Sequence, residues 1–332
     1  MEHLYYTIAL PFEAARRDER GWHGHSFCLR VRSDANRVAD QEWLLRRCAE
    51  NLAAFDYSLL NEQLTDPSDW GLLSDLEQRL RAAGVPLSRL ALRSAPDRGV
   101  VIEPPEQRRW VWRSCRFEAA HKLPNVPADH PCARLHGHGY RIILESSSRE
   151  DAADLGRLWE PVHAQLTRAC LNDILVNPTS ERLAEWIWLR LRMYSPGLCR
   201  VHVQETEHSG CSFDGSEHTI WKAQRFEAAT SYGAVRNVNG HGYRLRLYLR
   251  APLDPDLGWT LDYGDVKAAF APIRDTLDHR RLDQLEGLGS GDLASLGKWL
   301  FDQAVAELPQ LYRVDVREDE QRGVVVERTP TG

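Results

Sequence analysis

Two short motifs recur three times along the chain, and this repeat limits the possible fold more than any other feature. The first motif is Phe-Glu-Ala-Ala, which begins at Phe12, Phe117 and Phe226. The second is His-Gly-His or Asn-Gly-His, which begins at His23, His136 and Asn239. Successive copies are separated by roughly 105 to 110 residues, which is the length of a small domain. The sequence therefore predicts three tandem copies of one folding unit.

Polar segments mark the expected boundaries between these copies. One lies near Pro104 and the other near Gly215, so we expect units at 1–105, 106–214 and 215–332, named copy one, copy two and copy three. The chain has 332 residues, of which 42% are hydrophobic, and this is enough for two or three globular domains.

Within each copy, the pattern of apolar residues predicts two strands, two helices and two further strands. Residues 140–144 alternate apolar and polar side chains, as in a half-buried strand. Residues 181–193 space their apolar side chains by three and four, as in a helix, and Thr179 or Ser180 is the expected N-cap. Each copy should therefore be an α+β unit, in which two helices cover one face of an antiparallel four-stranded sheet.

Composition and charge argue against several classes of protein. The net charge of −6 disfavours general nucleic-acid binding, which normally needs a basic excess. No apolar run is long enough to span a membrane, and the first residues lack the features of a signal peptide. The seven cysteines lack the spacing of a disulfide framework. We therefore expect a cytoplasmic protein that acts on a small molecule, without nucleic-acid or membrane partners.

Three histidines of copy two have the spacing of a metal site. His136 and His138 lie two apart on a predicted strand, so their side chains project from the same face. His121 ends the preceding predicted strand, and a hairpin can bring it beside them. Three imidazoles suit Zn²⁺ with an open fourth position, which is typical of a catalytic zinc site. The alternative is a His-rich patch without a metal.

A cysteine stands close to these histidines, because Cys132 precedes His136 by four residues. It could be the fourth ligand of a closed structural site, a reactive thiolate beside the metal, or an inert buried cysteine. Zinc and histidines nearby would favour the thiolate, and Cys132 would then be a plausible general base.

Four motifs of copy two together resemble the 6-pyruvoyltetrahydropterin synthase superfamily. They are Phe-Glu-Ala-Ala-His, Cys-x-x-x-His-Gly-His, Pro-Thr-Ser-Glu and Glu-Thr, which begin at Phe117, Cys132, Pro178 and Glu205. The cysteine-to-histidine spacing is similar to that of the 6-carboxytetrahydropterin synthases of the queuosine pathway. The resemblance implies the tunnelling fold, in which three units form a barrel and two barrels stack. It thus implies a pseudo-trimeric barrel for one chain and a homodimer of such chains.

The resemblance also implies an activity. Members of the family are zinc enzymes that act on 7,8-dihydroneopterin triphosphate, and the bacterial branch produces 6-carboxytetrahydropterin. In these enzymes a cysteine abstracts a proton, an Asp-His pair assists, and a glutamate anchors the pterin. By this resemblance the Zn²⁺ ligands are His121, His136 and His138, and the base is Cys132.

The remaining family residues are divided between copies two and three. Thr167 and Arg168 stand where copy two should have the Asp-His pair, whereas copy three keeps the pair as Asp278 and His279. The anchoring glutamate survives in both copies, as Glu205 and Glu318. Copy one has Asp56 and Tyr57 at the positions of the Asp-His pair, and Ser94 at the position of the anchoring glutamate.

The outer copies have altered metal and cysteine positions. In copy one the metal positions are Arg16, His23 and His25, and Glu19 stands at the cysteine position. In copy three the metal positions are Thr230, Asn239 and His241, and Val235 stands at the cysteine position. We therefore expect copy one to be architectural, and one composite active site per chain with zinc and Cys132 from copy two and Asp278 and His279 from copy three. The alternatives are other pterin side-chain chemistry, such as pyruvoyl formation, and a non-catalytic pterin-binding or scaffold protein.

Overall fold

Strands and helices follow one another in the order that the repeat predicts, and the chain has an α+β fold. The computed structural model describes residues 1–147, 151–231 and 237–329. Val235, at the cysteine position of copy three, lies outside these residues. None of the described helices is both long and apolar enough to cross a bilayer.

The elements of each copy have the following bounds. Copy one contains β1 (Glu2–Asp18), β2 (Gly21–Asp34), α1 (Gln41–Leu52), β3 (Ser58–Leu59), α2 (Leu60–Gln63), α3 (Asp69–Ala82), β4 (Leu87–Ala95) and β5 (Arg98–Glu103). Copy two contains β6 (Arg108–His121), β7 (His136–Ser146), α4 (Asp151–Leu166), α5 (Ser180–Leu191), β8 (Leu198–Thr206) and β9 (Ser209–Phe213). Copy three contains β10 (His218–Ser231), β11 (Val238–Arg250), α6 (Tyr263–Leu277), β12 (Arg280–Arg281), α7 (Leu293–Glu307), β13 (Leu311–Arg317) and β14 (Arg322–Arg328). The short helix α2 and the two-residue strands β3 and β12 are additions to the predicted pattern.

Polar side chains fix where the long helices begin. The capping residues of α1, α3, α5, α6 and α7 are Asp40, Ser68, Thr179, Asp262 and Asp292. Each accepts a backbone N–H that the first helical turn leaves unpaired. The helix predicted over residues 181–193 is confirmed as α5, and Thr179 is its N-cap.

The strands form one sheet whose path of pairing closes on itself. In order of pairing the path is β1, β2, β4, β5, β6, β7, β8, β9, β10, β11, β13 and β14. The last of these pairs with the first, over residues 2–8 of β1. β3 and β12 add parallel to the edges of β1 and β10. The helices pack against the face of this sheet that carries the core residues, and we name the opposite face the enclosed face.

The hydrophobic core lies between the sheet and the helices. In each copy, the phenylalanine of the Phe-Glu-Ala-Ala motif stacks on an aromatic ring of the next strand. The centroid distances are 5.0 Å for Phe12–Phe27, 4.8 Å for Phe117–Tyr140 and 5.1 Å for Phe226–Tyr243. All six rings are buried, and burial of each phenylalanine stabilises the fold by about 1.5–3 kcal/mol. The repeated motif thus encodes a repeated packing contact.

Candidate active site

The hairpin of β6 and β7 brings the three predicted histidines together. His121 at the end of β6 pairs directly with His136 at the start of β7, and His138 follows on the same face. Their nearest ligand atoms all lie within 4.8 Å of one another. Among the described residues, this is the one group of His, Cys, Asp and Glu side chains that could hold a metal ion.

Backbone carbonyl groups orient two of these rings. Nδ1 of His121 donates to the Pro178 carbonyl at 2.9 Å, and Nδ1 of His136 donates to the Arg134 carbonyl at 2.7 Å. Each contact leaves Nε2 as the free coordinating atom, and Nε2 of His121 is buried without a hydrogen-bond partner.

Burial also keeps the histidines in the form that binds metals. It lowers the pKa of His121 to about 4, and it lowers the pKa of His138. Neutral imidazole is the form that coordinates a metal. The donor set, its geometry and the unpartnered nitrogen of His121 therefore fit Zn²⁺.

In copy one, an arginine occupies the space where a metal would lie. Nε of Arg16 donates to Nε2 of His23 at 3.2 Å, and its Nη2 lies 3.3 Å from Nε2 of His25. Asp69 pairs with the same guanidinium at 2.8 Å. In copy three, the buried Thr230 hydroxyl donates to a backbone carbonyl instead. Neither arrangement leaves three converging ligands.

Cys132 lies in a short 3₁₀ turn between the Leu123 backbone and the side chain of His130. Its N–H donates to Nδ1 of His130 at 3.1 Å, and its carbonyl accepts from Leu123 N–H at 2.8 Å. The thiol is free and partly buried. Burial, followed by the negative charges of Glu205 and Asp262, raises the pKa of Cys132. These two carboxylates therefore lie in the electrostatic environment of the thiol.

The carboxyl group of Glu205, near the end of β8, interacts with that of Glu181 in α5. Burial and the nearby Glu181 raise the pKa of Glu205 to about 8. Glu181 is itself buried, and it accepts hydrogen bonds from Ser180 Oγ at 2.9 Å and from the N–H of Thr260 at 2.8 Å. Thr260 belongs to copy three, so this part of the site is closed by the neighbouring copy.

A segment of copy three, residues 254–263, covers the start of α5. Thr179 Oγ1 donates to the Gly258 carbonyl at 2.7 Å, and the hydroxyls of Ser180 and Tyr263 lie 3.0 Å apart. These contacts hold the two copies together at the site, and no local spacing in the sequence predicts them.

His130 and Asp262 form a further contact between these copies. Nδ1 of His130 accepts the Cys132 N–H, so its Nε2 carries the proton and donates to Asp262 Oδ2 at 3.0 Å. The two residues are 132 positions apart, and no local spacing connects them. Asp262 is also the N-cap of α6.

Asp278 and His279 lie on the edge of β10 that faces copy two. β12, which follows them, pairs with β10 on the same edge as β9. The two side chains contact each other at 3.1 Å, and Asp278 accepts from the Glu227 N–H at 2.8 Å. The hydrogen bonds and ion pairs of the described residues do not connect this pair to the three histidines.

The backbone turn that carries His279 is common to all three copies. His279 has a φ of 58°, and Tyr57 and Arg168 at the matching positions have φ values of 52° and 58°. Each N–H donates to the carbonyl of the glutamate in the Phe-Glu-Ala-Ala motif. The left-handed backbone therefore belongs to the repeated fold, and only the side chain differs between copies.

The second candidate anchor, Glu318, has a different environment. It is buried at the end of β13, and its Oε1 pairs with Arg322 Nε at 3.2 Å. Its carboxylate is thus held by a cation of its own copy. Glu205 instead lies near Cys132.

Comparison with known proteins places these features in a family. The family model for 6-pyruvoyl tetrahydropterin synthase matches residues 111–216 and 216–329. A 6-carboxy-5,6,7,8-tetrahydropterin synthase of Synechocystis sp. is 32% identical over 112 residues, which cover 29% of this chain and 85% of that protein. The solved structure of 6-pyruvoyl tetrahydropterin synthase from Caenorhabditis elegans matches 33% of this chain and 95% of its own, with 21% identity and a TM-score of 0.32. Because the two family matches together span more than half of the chain, the protein belongs to the 6-pyruvoyl tetrahydropterin synthase family.

Proposed function

We propose that copy two is a zinc-dependent lyase site that converts 7,8-dihydroneopterin triphosphate and one water into 6-carboxytetrahydropterin, acetaldehyde and triphosphate, as in queuosine biosynthesis. The observation that carries the proposal is the convergence of three histidine ligand atoms within 4.8 Å, in a unit that also contains Cys132 and Glu205. The Synechocystis relative, of which the match covers 85%, is named for this product.

The proton-transfer task is assigned to Cys132. Bound by the three histidines, Zn²⁺ would polarise the hydroxyl groups of the substrate side chain. Cys132 would remove a proton from that side chain, for which its thiol must first ionise. Burial and two acidic neighbours oppose this ionisation. A positive charge at the histidine cluster would lower the pKa of the thiol and so stabilise the thiolate.

The pterin-anchoring task is assigned to Glu205. A carboxylate can accept two hydrogen bonds from the guanidine-like edge of a pterin. Glu205 lies near the thiol, whereas Glu318 is already paired with Arg322. This contrast favours Glu205 over the second surviving glutamate.

The assembly is also part of the proposal. Units 1–105, 106–214 and 215–332 would form one pseudo-trimeric barrel, and two chains would stack as a homodimer. The closed path of strand pairing and the aromatic pair repeated in each copy support this arrangement. Asp278 and His279 would then return the proton, from the same chain or its partner. The seven free cysteines fit a cytoplasmic location.

Product analysis after anaerobic incubation with 7,8-dihydroneopterin triphosphate tests the function. We expect 6-carboxytetrahydropterin and acetaldehyde in equal amounts. Cys132→Ala should keep its zinc and lose turnover by roughly 10²–10⁴-fold, His136→Ala should lose the zinc, and Cys199→Ala serves as the control. A pyruvoyl product, or pterin binding without turnover in the zinc-loaded protein, would reject the assignment.

A further inference from the structure

The enclosed face of the sheet carries many arginines. These side chains alternate with core residues along the strands, so they project to the side opposite the helices. Six of them form no ion pair with any carboxylate in the described part of the chain, and we name them the inner arginines: Arg30, Arg93, Arg116, Arg141, Arg246 and Arg317. They come from all three copies.

Other arginines of the same face are neutralised. The ion pairs are Arg32–Glu327 at 3.3 Å, Arg89–Glu103 at 2.9 Å, Arg200–Glu145 at 3.6 Å and Arg313–Asp315 at 2.6 Å. The enclosed face therefore contains one group of paired arginines and one group that forms no ion pair in the described part of the chain, although Asp315 lies in the electrostatic environment of Arg246 and Arg317. An overall basic composition cannot explain this, because the chain has a net charge of −6.

Strand register places several of these cations directly opposite one another. Arg116 lies directly opposite Arg141 across β6 and β7. Arg317 lies opposite Arg244 across β11 and β13, and Arg244 is itself paired with Glu320 at 3.0 Å. Like charges in directly opposed positions destabilise a sheet. Such an arrangement is favourable when a bound anion neutralises the repulsion.

The inner arginines of different copies share one space. Burial, followed by the charges of Arg116 and Arg246, lowers the pKa of Arg141. Burial, followed by the charge of Arg30, lowers the pKa of Arg317; the charge of Asp315 opposes this shift, and Arg246 contributes to it. Arg246 is held over the Trp221 ring at 4.2 Å, which fixes its guanidinium on the enclosed face.

We propose that the enclosed face is a binding site for a multivalent phosphate anion, held by Arg141, Arg246 and Arg317. A guanidinium donates two parallel hydrogen bonds to a phosphate, and an enclosed site screens the attraction less than open solvent does. The ligand would be a short chain of phosphates, either free or part of a nucleotide. The site is separate from the pterin site, because Arg141 and His138 project from opposite faces of β7.

Calorimetric titration with inorganic triphosphate at constant ionic strength tests the proposal. Arg141→Gln combined with Arg317→Gln should weaken binding by roughly ten-fold or more. Arg47→Gln combined with Arg157→Gln removes the same charge from exposed helix positions and should change affinity less than about two-fold. Equal affinity in the wild type and the inner double variant would overturn the proposal. Titration with ATP shows whether a nucleotide also binds.

Two further variants keep this site distinguishable from the pterin site. His136→Ala, which disrupts the histidine cluster, should bind triphosphate at the enclosed face as the wild type does. Loss of that binding would assign the triphosphate to the pterin pocket and overturn the proposal. Should the double variant fail to fold, Arg141→Lys is the alternative. It keeps the charge but loses the planar guanidinium that donates two parallel hydrogen bonds, and it should still weaken binding measurably. Unchanged binding in Arg141→Lys would also contradict the proposal.

Discussion

At the scale of single residues, one arginine decides that copy one has no metal site. Arg16 stands where copy two has His121, and its guanidinium lies within 3.3 Å of Nε2 in both His23 and His25. The same charge contributes to lowering the pKa of His25, after burial. A cation at this point both fills the space and repels a metal ion.

We expect Arg16→His to create a second zinc site. The substitution would place a third imidazole beside His23 and His25, with Asp69 nearby. Zinc content, measured by elemental analysis of purified protein, should rise from about one to about two ions per chain. Arg17→His, on the adjacent residue, is the matched control and should remain at one. A folded Arg16→His protein that still holds one zinc would show that another feature excludes the metal.

The raised pKa of Glu205 predicts how pterin binding depends on pH. The free carboxyl ionises near pH 8, and the ionised form is the one that accepts two hydrogen bonds from the pterin edge. Affinity for a non-reactive pterin such as neopterin should therefore rise through pH 8 and level off above about pH 9. Glu205→Gln should weaken binding and remove this dependence, whereas Glu318→Gln should retain it. A flat profile in the wild type would argue against Glu205 as the anchor.

The same pKa predicts a change in stability with a definite sign. Because the folded pKa is raised above the usual value of 4.5 to about 8, the native state holds an extra proton between these pH values. Wild-type stability should therefore fall relative to Glu205→Gln as pH rises through this interval, and the difference should be constant above it. Thermal unfolding at pH 5 and pH 9 would show whether the variant gains stability only at the higher pH.

At the scale of elements, the start of α6 serves two copies at once. Asp262 caps this helix and also accepts from His130, which in turn holds the backbone of Cys132. The position of the thiol therefore depends on a helix terminus that belongs to the next copy.

Asp262→Asn separates the two tasks of this residue. Asparagine caps a helix about as well as aspartate, so the melting temperature should change little. The charge that holds the imidazole of His130 is lost, and turnover should decrease while zinc content is kept. Asp292→Asn makes the same change at the cap of α7 and should leave turnover unaffected. Equal turnover in both variants would show that the His130–Asp262 contact does not position the thiol.

At the scale of the whole molecule, the proposed site is shared between copies. His279 is 79% exposed, and Asp278 is the side chain that it contacts. His279→Ala should therefore change the free energy of unfolding by no more than about 0.5 kcal/mol, while turnover falls by roughly 10²-fold or more. Tyr57→Ala, at the equivalent exposed position of copy one, is the control. Full turnover in zinc-loaded His279→Ala would rule out a role for the Asp278–His279 pair.

The repeat, the order of elements and the histidine cluster could be predicted from the sequence because they depend on local spacing. Phe117 and His121 lie on one strand, and His136 and His138 lie two apart on the next, so a single hairpin is enough to bring the histidines together. Apolar periodicity and a capping threonine likewise identified α5, whose end differs from the predicted one by two residues.

Only the tertiary structure decided the features that depend on contacts between distant positions. His130 contacts Asp262, which is 132 residues away. Arg322 forms an ion pair with Glu318 and not with Glu205. The guanidinium of Arg16 fills the metal position of copy one because it contacts His23 and His25. The enclosed arginines belong to the same class, because the pairing of β14 with β1 joins the two ends of the chain. Local patterns specify which face of a strand a side chain occupies, whereas the partners that it meets there are set by contacts between residues that are distant in the sequence.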